Sequence, residues 1–225
     1  MSTLIIVAHP DDEVLGCGGT IAKLTKMGEQ VNVVIACDGE SSRKNVKNIK
    51  KLIKERQNQA KDAGKLLGIN NISFLNFPDQ KLDSISLIEL VQKIEKCIVK
   101  YKPNKIFTHF SGDLNKDHRL VSEATLIACR PSYDHLITHI YFFETPSSSE
   151  WNFDNLSPSF KPNFFIDITK TIKLKIDAIK VYKNEIRKFP HPRSSENINA
   201  LSITRGSSVL MKNAEAFILV RQLKI

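Results

Sequence analysis

An acidic turn lies close to the amino end of the chain, directly after an apolar run at residues 4–8. One imidazole and three carboxylates fall within five positions: His9, Asp11, Asp12 and Glu13. Imidazole nitrogen and carboxylate oxygen both suit zinc, and a catalytic zinc site has three protein ligands and a fourth position for water. His9 and Asp12 are therefore predicted to bind a divalent metal, with a third ligand from elsewhere in the chain.

Asp11 lies between the two predicted ligands. It would be close to a bound water without being a ligand itself, which is the place of a general base. The simpler interpretation is a helix N-cap, because Asp is a preferred cap and acidic residues favour the first turn of a helix. Three consecutive carboxylates after a histidine repel one another, which favours the metal interpretation.

The elements that position this turn can be predicted from hydrophobic periodicity. The run at residues 4–8 has the length of a buried strand, and apolar residues at helical spacing follow from Val14. Further strands are predicted at residues 31–36, 72–75, 105–108, 139–144, 163–168 and 214–220, and helices at residues 43–67, 84–101, 119–129 and 170–187, with a last helical piece through Thr204. The alternation predicts an α/β fold with a Rossmann-like, mostly parallel sheet and helices on both faces.

A second group of metal-compatible residues follows the fourth predicted strand, at residues 109–118. Open α/β sheets bind ligands beyond the carboxyl ends of their strands, so this group and the acidic turn are predicted to meet there. His118 is predicted as the third ligand, and Asp117 as the carboxylate that orients it or a neighbouring group. His109, at the strand end, is more typical of a core or supporting histidine. Taken alone, Asp117 would be a helix cap and His118 a surface residue.

The 225 residues are predicted to form a single domain, residues 1–225. Within it, residues 1–144 form the core βα units with the metal site. Residues 145–225 form a lid-like loop and a carboxyl-terminal extension of the same domain. The lid prediction rests on a long Pro- and Ser-rich segment at residues 145–163, because loops of this length in compact domains are usually lids or binding loops.

The composition is typical of a soluble globular protein, with 41% hydrophobic and 25% charged residues and no apolar run long enough to span a membrane. No secretory signal is visible at the amino terminus, so the cytoplasm is the expected location. The four cysteines show no CxxC spacing, so neither a disulfide framework nor a structural zinc site is predicted. The sequence is compatible with a homo-oligomer.

The net charge of +9 and the pI near 9.3 indicate either an anionic partner or a solvated basic face. One predicted helix carries four lysines on a single face: Lys44, Lys47, Lys51 and Lys54. This is typical of a solvated amphipathic helix. Because no aromatic residues interleave with these lysines, a nucleic-acid partner is not predicted. An anionic substrate is the second interpretation.

Several further short motifs accompany the two clusters. They are Arg56 with Ala63 and Leu67-Gly68, Arg130-Pro131, Pro192-Arg193-Ser194, Arg205-Gly206 and Ala214-Glu215-Ala216-Phe217. Together with the His-Pro-Asp-Asp-Glu turn and Asp117-His118-Arg119, they make the chain resemble the PIG-L/LmbE-like zinc-dependent N-deacetylases. The likeness spans nearly the whole chain, and a His-Pro-Asp-Asp turn with a distant Asp-His is a specific combination.

The resemblance implies a set of roles. His9, Asp12 and His118 would bind Zn²⁺, although the same donors suit other divalent metals. Asp11 would be the general base, and Arg56 and Asp79 would hold sugar hydroxyls. The implied reaction removes an acetyl group from an N-acetylated amino sugar and gives acetate and a free amine. On the second interpretation of the basic charge, the small-molecule substrate would be phosphate-, nucleotide- or lipid-linked.

Asn115 is a departure from part of this family. Branches that make low-molecular-weight thiols usually have a second histidine three residues before the zinc-binding one, and this chain has Asn115 there. An amide at this catalytic position can donate a hydrogen bond to an oxyanion, but it cannot supply a proton. The resemblance therefore does not extend to a thiol-precursor substrate.

Two other functions compete with this hypothesis. One is a metal-dependent hydrolase that acts on another amide. The other is a non-catalytic nucleotide- or sugar-binding module, suggested by Gly16, Gly18 and Gly19 after the first strand. A phosphate cradle needs glycines in the turn itself, whereas this turn holds carboxylates that would repel a pyrophosphate.

Overall fold

A computed structural model describes residues 2–43, 47–131, 136–153 and 158–224. Strands and helices alternate along these residues. The strands are β1 (Ser2–Val7), β2 (Gln30–Cys37), β3 (Asn71–Phe77), β4 (Lys105–His109), β5 (His139–Phe143), β6 (Phe164–Asp167) and β7 (Ala214–Gln222). The helices are α1 (Asp12–Lys26), α2 (Ile49–Leu67), α3 (Leu87–Tyr101), α4 (Lys116–Ala128), α5 (Ile172–Val181) and α6 (Ser195–Ser207).

All seven strands form one sheet in the order β3-β2-β1-β4-β5-β7-β6. The first five pair in parallel, and β7 pairs antiparallel with both β5 and β6. The predicted mostly parallel, single-domain α/β fold is thereby confirmed. Because β6 and β7 complete the same sheet, residues beyond 145 contribute directly to the core of the domain. None of the helices in the described ranges is long and apolar enough to cross a membrane.

Both faces of the sheet are covered by helices. Ile5 and Val7 point into a core formed with α1, α2, α5 and α6, whereas Leu4 and Ile6 point into a second core formed with α3 and α4. A strand that is buried on both faces has no polar alternation. This is why β1 has a continuous apolar sequence and could be recognised from it.

Several helix boundaries differ from the predictions. The helix predicted at residues 43–67 begins at Ile49, where Asn48 accepts a hydrogen bond from the Lys51 backbone (3.1 Å). Residues 44–46, which include Lys44 of the predicted lysine face, lie outside the described residues. The helix predicted at 84–101 begins at Leu87, after a short 3₁₀ turn at Leu82–Ser84.

A buried ion pair supports the helix that carries Asp12. Helix α1 departs from helical geometry at Cys17 (φ −146°), which frees backbone groups in the following turn. Glu215 of β7 accepts hydrogen bonds from the backbone nitrogens of Gly19 (2.9 Å) and Thr20 (2.7 Å). Lys175 of α5 lies 2.6 Å from the same carboxylate. The carboxylate thus satisfies donors that the kink would otherwise leave unpaired.

The glycines of α1 are packing positions. A Cβ atom at Gly19 would lie 2.8 Å from Ile168, and one at Gly16 would overlap the ring of Phe143. Only a residue without a side chain allows α1 to approach the sheet this closely. These glycines therefore lie against the core, which counts against a phosphate-binding role.

Candidate metal centre

The predicted metal ligands meet where the direction of the sheet connections reverses. His9 follows β1 directly, Asp12 is the first residue of α1, and His118 lies in the first turn of α4, after β4. From β1 the sheet extends through β2 and β3 on one side and through β4 and β5 on the other. Parallel sheets open a crevice at the carboxyl ends of two such strands. The fold therefore brings together three residues separated by up to 109 positions.

The three donor atoms form a nearly equilateral triangle. Nδ1 of His9 lies 3.3 Å from Nε2 of His118 and 3.3 Å from Oδ2 of Asp12, and the last two atoms are also 3.3 Å apart. Zinc bonds to nitrogen and oxygen of about 2.0–2.1 Å give tetrahedral edges of about 3.3–3.4 Å. The triangle therefore has the size of one face of a zinc coordination tetrahedron, with the fourth vertex left for water or substrate.

The chemistry of these side chains also fits a cation. Asp12 is fully buried, and its Oδ1 atom accepts no hydrogen bond from the described residues. Its Oδ2 atom accepts one from the backbone nitrogen of His9 (2.8 Å). A buried carboxylate oxygen that lacks a partner is costly, and a metal ion beside the carboxylate removes that cost. Two imidazoles, each of which binds metal in its neutral form, and one carboxylate are a donor set that zinc commonly takes.

Carboxylates fix both imidazoles in the orientation that a metal requires. Nε2 of His9 lies 3.1 Å from Asp79 and 3.2 Å from Asp117, so it carries the proton and leaves Nδ1 free to bind metal. Nδ1 of His118 lies 3.2 Å from Asp113, which leaves its Nε2 free. Carboxylates that orient metal-binding histidines in this way raise the basicity of the ligand. Asp117 therefore orients His9, which is the neighbouring group that the sequence prediction allowed for. Asp113 orients His118.

Asp113 gives a testable effect on metal affinity. In Asp113→Asn, the carboxylate that holds the His118 ring is replaced by a neutral amide, so zinc affinity should fall by about 10–100-fold. Competition with a chromophoric chelator measures this change. Asp83→Asn is the matched control, because Asp83 is an exposed carboxylate that pairs with Lys116 (3.1 Å) and does not contact a histidine. Equal affinity in both variants would rule out support of the metal centre by Asp113.

His109 supports the centre without joining the donor triangle. Its Nε2 accepts a hydrogen bond from the backbone nitrogen of Ala8 (2.9 Å), and its ring stacks on His118 at a centroid distance of 3.9 Å. Burial, followed by the nearby charge of His118, lowers the pKa of His109 to about 3. The ring is therefore neutral, as expected for a supporting histidine in the core.

Asp11 lies at the N-cap position of α1 with an unusual backbone. Its φ angle of 123° is in a region that non-glycine residues rarely adopt, and such residues cluster at functional sites. Its backbone nitrogen donates to Glu13 (3.0 Å), and its Oδ2 accepts from Nη1 of Arg193 (3.0 Å). Burial raises the pKa of Asp11 to about 7, although the positive charge of Arg193 opposes this shift. A carboxylate with such a pKa can take up and release a proton near neutral pH.

A polar cleft of about 290 Å³ opens beside His9 and Asp11. Its lining includes Arg56, Asp79 and three residues to which the sequence patterns assigned no role: Glu185, Arg187 and Arg193. Arg56 is 3% exposed and donates to Glu40 (2.8 Å) and to Glu185, but its Nη1 has no partner among the described residues. Such a buried donor at a cleft wall is suited to a ligand oxygen.

Glu185 holds this wall of the cleft together. Its carboxylate lies 2.7 Å from Arg43 and 3.1 Å from Arg193, and it also pairs with Arg56. Although burial alone would raise the pKa of Glu185, the surrounding guanidinium groups, Arg56 first, lower it below its ordinary value. The network thus joins α2 to the segment that supplies Arg193, the partner of Asp11.

Asn115 and Asp117 have clear structural tasks. Oδ1 of Asn115 accepts a hydrogen bond from the Asp117 backbone (2.9 Å) and caps α4, and Asn115 does not line the cleft. Asp117 accepts hydrogen bonds from the backbone nitrogens of Gln80 (2.8 Å) and Leu82 (3.2 Å) and so fixes the chain after β3. A chemical role for Asn115 stays a prediction.

The profile of the PIG-L family, described as GlcNAc-PI de-N-acetylase, matches residues 4–129. This range contains the donor triangle, Asp11, Asp117 and Arg56. The chain belongs to the PIG-L family. The resemblance carried by the sequence motifs is thereby confirmed, and so is the expectation of an enzyme of the deacetylase class, since the two curated relatives named below are deacetylases.

Two curated relatives of this PIG-L protein match over most of its length. The uncharacterized deacetylase YaiS of Escherichia coli is 29% identical over 187 residues, which cover 80% of this chain and 90% of YaiS. The diacetylchitobiose deacetylase of Thermococcus kodakarensis is 27% identical over 202 residues, which cover 81% of this chain and 69% of that enzyme.

Solved structures share the PIG-L fold. The N,N'-diacetylchitobiose deacetylase of Pyrococcus horikoshii superposes with a TM-score of 0.78 at 24% identity and covers 98% of this chain and 84% of that one. GalB, the 4-carboxy-2-hydroxymuconate hydratase of Pseudomonas putida, superposes with a TM-score of 0.76 at 22% identity over 100% of this chain and 98% of GalB. Because a deacetylase and a hydratase have this fold, the reaction has to be argued from the site.

Proposed function

We propose that this protein is a zinc-dependent hydrolase that removes the acetyl group from an N-acetylated amino sugar or sugar conjugate. The observation that carries the proposal is the 3.3 Å triangle of His9, Asp12 and His118 beside a polar cleft. A bound zinc ion would supply a Lewis acid that polarises the acetamide carbonyl and lowers the pKa of a water molecule. Family membership supports the N-acetyl substrate.

In this reaction Asp11 acts as the base. Its carboxylate takes a proton from the attacking water, and the same group, now protonated, gives the proton to the departing amine nitrogen. Arg193 donates to Oδ2 of Asp11 (3.0 Å) and so fixes the direction of the carboxylate. Because Asn115 cannot supply a proton and caps α4, Asp11 is assigned both transfers.

The cleft wall holds the sugar. The unpartnered Nη1 of Arg56 donates to a hydroxyl or carbonyl oxygen, and Asp79, on the other side of His9, accepts from a hydroxyl group. Hydrogen bonds to ionised groups are the stronger ones, so both contacts favour a substrate rich in hydroxyl groups. This matches an amino sugar better than a simple alkyl amide. Four arginines in or beside the cleft support a phosphate-, nucleotide- or lipid-linked sugar: Arg43, Arg56, Arg187 and Arg193.

The proposal is tested by incubating the zinc-loaded protein with a panel of acetylated compounds and measuring the acetate that each compound releases. The panel contains N-acetylglucosamine, diacetylchitobiose, a nucleotide-linked N-acetylglucosamine and an N-acetyl-lysine peptide. We expect release from at least one sugar and none from the peptide. Release from the peptide alone would favour a hydrolase of other amides. If protein that contains about one zinc per chain releases acetate from none of the compounds, the deacetylase proposal is rejected.

The pH profile tests the pairing of Asp11 with Arg193. Asp11 works as a base only when ionised, so kcat/KM should fall as the pH drops through its pKa. The positive charge of Arg193 lowers that pKa, so Arg193→Gln should move the acidic limb to higher pH. Arg187→Gln is the control, because Arg187 lines the same cleft without bonding to Asp11. A limb that stays in place in Arg193→Gln, or moves to lower pH, would contradict the pairing.

The proposal also includes a cytoplasmic location for the enzyme. The cytoplasm is supported by Cys17, Cys37, Cys97 and Cys129, which are all free thiols. A homo-oligomer remains a prediction from the sequence, and sedimentation of the purified protein measures it.

A further inference from the structure

The His9 ring faces donor atoms on both of its edges. Its Nδ1 edge belongs to the triangle described above. Its Nε2 edge faces the Cys37 thiol and the carboxylates of Asp79 and Asp117. All four side chains are buried, with exposed fractions of 9% for His9, 1% for Cys37, 6% for Asp79 and 2% for Asp117.

The spacing of this second group also fits a cation. Nε2 of His9 lies 3.1 Å from Oδ1 of Asp79 and 3.2 Å from Oδ2 of Asp117, and the latter atom lies 3.6 Å from Sγ of Cys37. Tetrahedral zinc with a sulfur bond of about 2.3 Å and nitrogen or oxygen bonds of about 2.0–2.1 Å has edges of about 3.3 Å between light atoms and about 3.5–3.6 Å to sulfur. The donors of His9, Cys37 and Asp117 all lie within 4.8 Å of one another.

Support of His9 by hydrogen bonds explains only part of this arrangement. Either carboxylate is enough to hold the Nε2 proton, and Asp117 is additionally fixed by the backbone of Gln80 (2.8 Å) and Leu82 (3.2 Å). The thiol of Cys37 donates a weak hydrogen bond to Asp117 (3.6 Å), a carboxylate that two backbone donors already hold in place. Its sulfur is also a soft donor, which selects thiophilic cations over magnesium or calcium.

We propose that His9, Cys37 and Asp117 form a second cation site, which takes a thiophilic divalent cation such as Cd²⁺ or excess Zn²⁺. The cation replaces two protons, one from the Cys37 thiol and one from Nε2 of His9, and the imidazole then bridges the two sites. Because a bridging imidazole has to give up its second proton, this site binds more weakly than the donor triangle and fills after it. When the cation occupies the second site, the hydrogen bonds that orient His9 are lost. An excess of the cation should therefore reduce activity.

Titration of the zinc-loaded protein with Cd²⁺ tests the site without an activity assay. A thiolate bound to cadmium absorbs in the ultraviolet, so the wild type should develop this band as one Cd²⁺ per chain binds. Cys37→Ser should lose the band and bind one cation fewer per chain. Cys97→Ser is the matched control, because Cys97 is also a buried free thiol but lies on α3; it should behave as the wild type.

His118→Ala separates this inference from the proposed function. Removing His118 damages the donor triangle and leaves the second group complete, so the thiolate band should persist. No band in the wild type, or a band that survives Cys37→Ser, would overturn the second site and leave the deacetylase proposal standing. If the serine variant does not fold, X-ray absorption at the cadmium edge decides with the wild type alone. A sulfur neighbour in the bound cadmium supports the site, and its absence overturns it.

Discussion

The Asp11→Asn variant is expected to keep its metal and to lose about 10²–10⁴-fold in kcat, the range that a positioned general base contributes. An amide cannot take the proton of the attacking water, whereas the proposed ligands His9, Asp12 and His118 are unchanged. The acidic limb of the pH profile near 7, assigned to Asp11, should disappear at the same time.

The asparagine substitution preserves the local structure. Asp and Asn are among the non-glycine residues most often found at positive φ, so an asparagine at this position can keep the φ of 123°. Its side-chain oxygen can still accept the hydrogen bond from Arg193. Activity and metal content are measured together, with Asp62→Asn on the exposed face of α2 as the control that should resemble the wild type. A variant within a few-fold of the wild type would remove Asp11 as the base, and loss of zinc would instead make Asp11 a ligand.

The sheet was predictable because its central strands are buried on both faces. The apolar runs at β1 and β2 could only be interpreted as strands, because they alternate with helical patterns along the chain. The end of α5 was not predictable from the same kind of pattern. Helical periodicity continues to residue 187, but the helix stops at Val181, where the buried Tyr182 directs its hydroxyl to Glu13 (2.5 Å). This contact spans 169 positions, and no local signal reports it.

The meeting of the three donors in the triangle was predictable because two of its members lie in one short motif. The supporting carboxylates were harder to assign. Asp117 and His118 are adjacent on a helix, and adjacent helical residues point in different directions, so Asp117 orients His9 and leaves His118 to Asp113. The different directions of adjacent helical side chains could have indicated that the partner of His118 lies outside the first turn of α4. Arg193 could not be assigned to Asp11 in this way, because their hydrogen bond joins positions 182 residues apart.

The His118→Ala variant should lose both the metal and the activity. Two ligands remain, one fewer than catalytic zinc sites use, so the metal content should fall from about one zinc per chain to a small fraction. Activity should fall at least as far as in Asp11→Asn, because Asp11 would then have to deprotonate a water with a pKa of about 15.7 instead of about 7. Zinc should also stop raising the melting temperature, since a ligand stabilises only a protein that binds it.

His139→Ala is the matched control for this experiment. His139 begins β5 and packs beside Tyr141, at the opposite end of the strand from the metal centre. Its removal should leave zinc content, activity and the zinc-dependent melting temperature near the wild-type values. If His118→Ala retains about one tightly bound zinc, the third ligand is another residue, and Asp113 would be the first to test because it lies 3.2 Å from the His118 ring. If the zinc is lost but activity remains, the reaction does not depend on this centre, and the proposed hydrolysis fails with it.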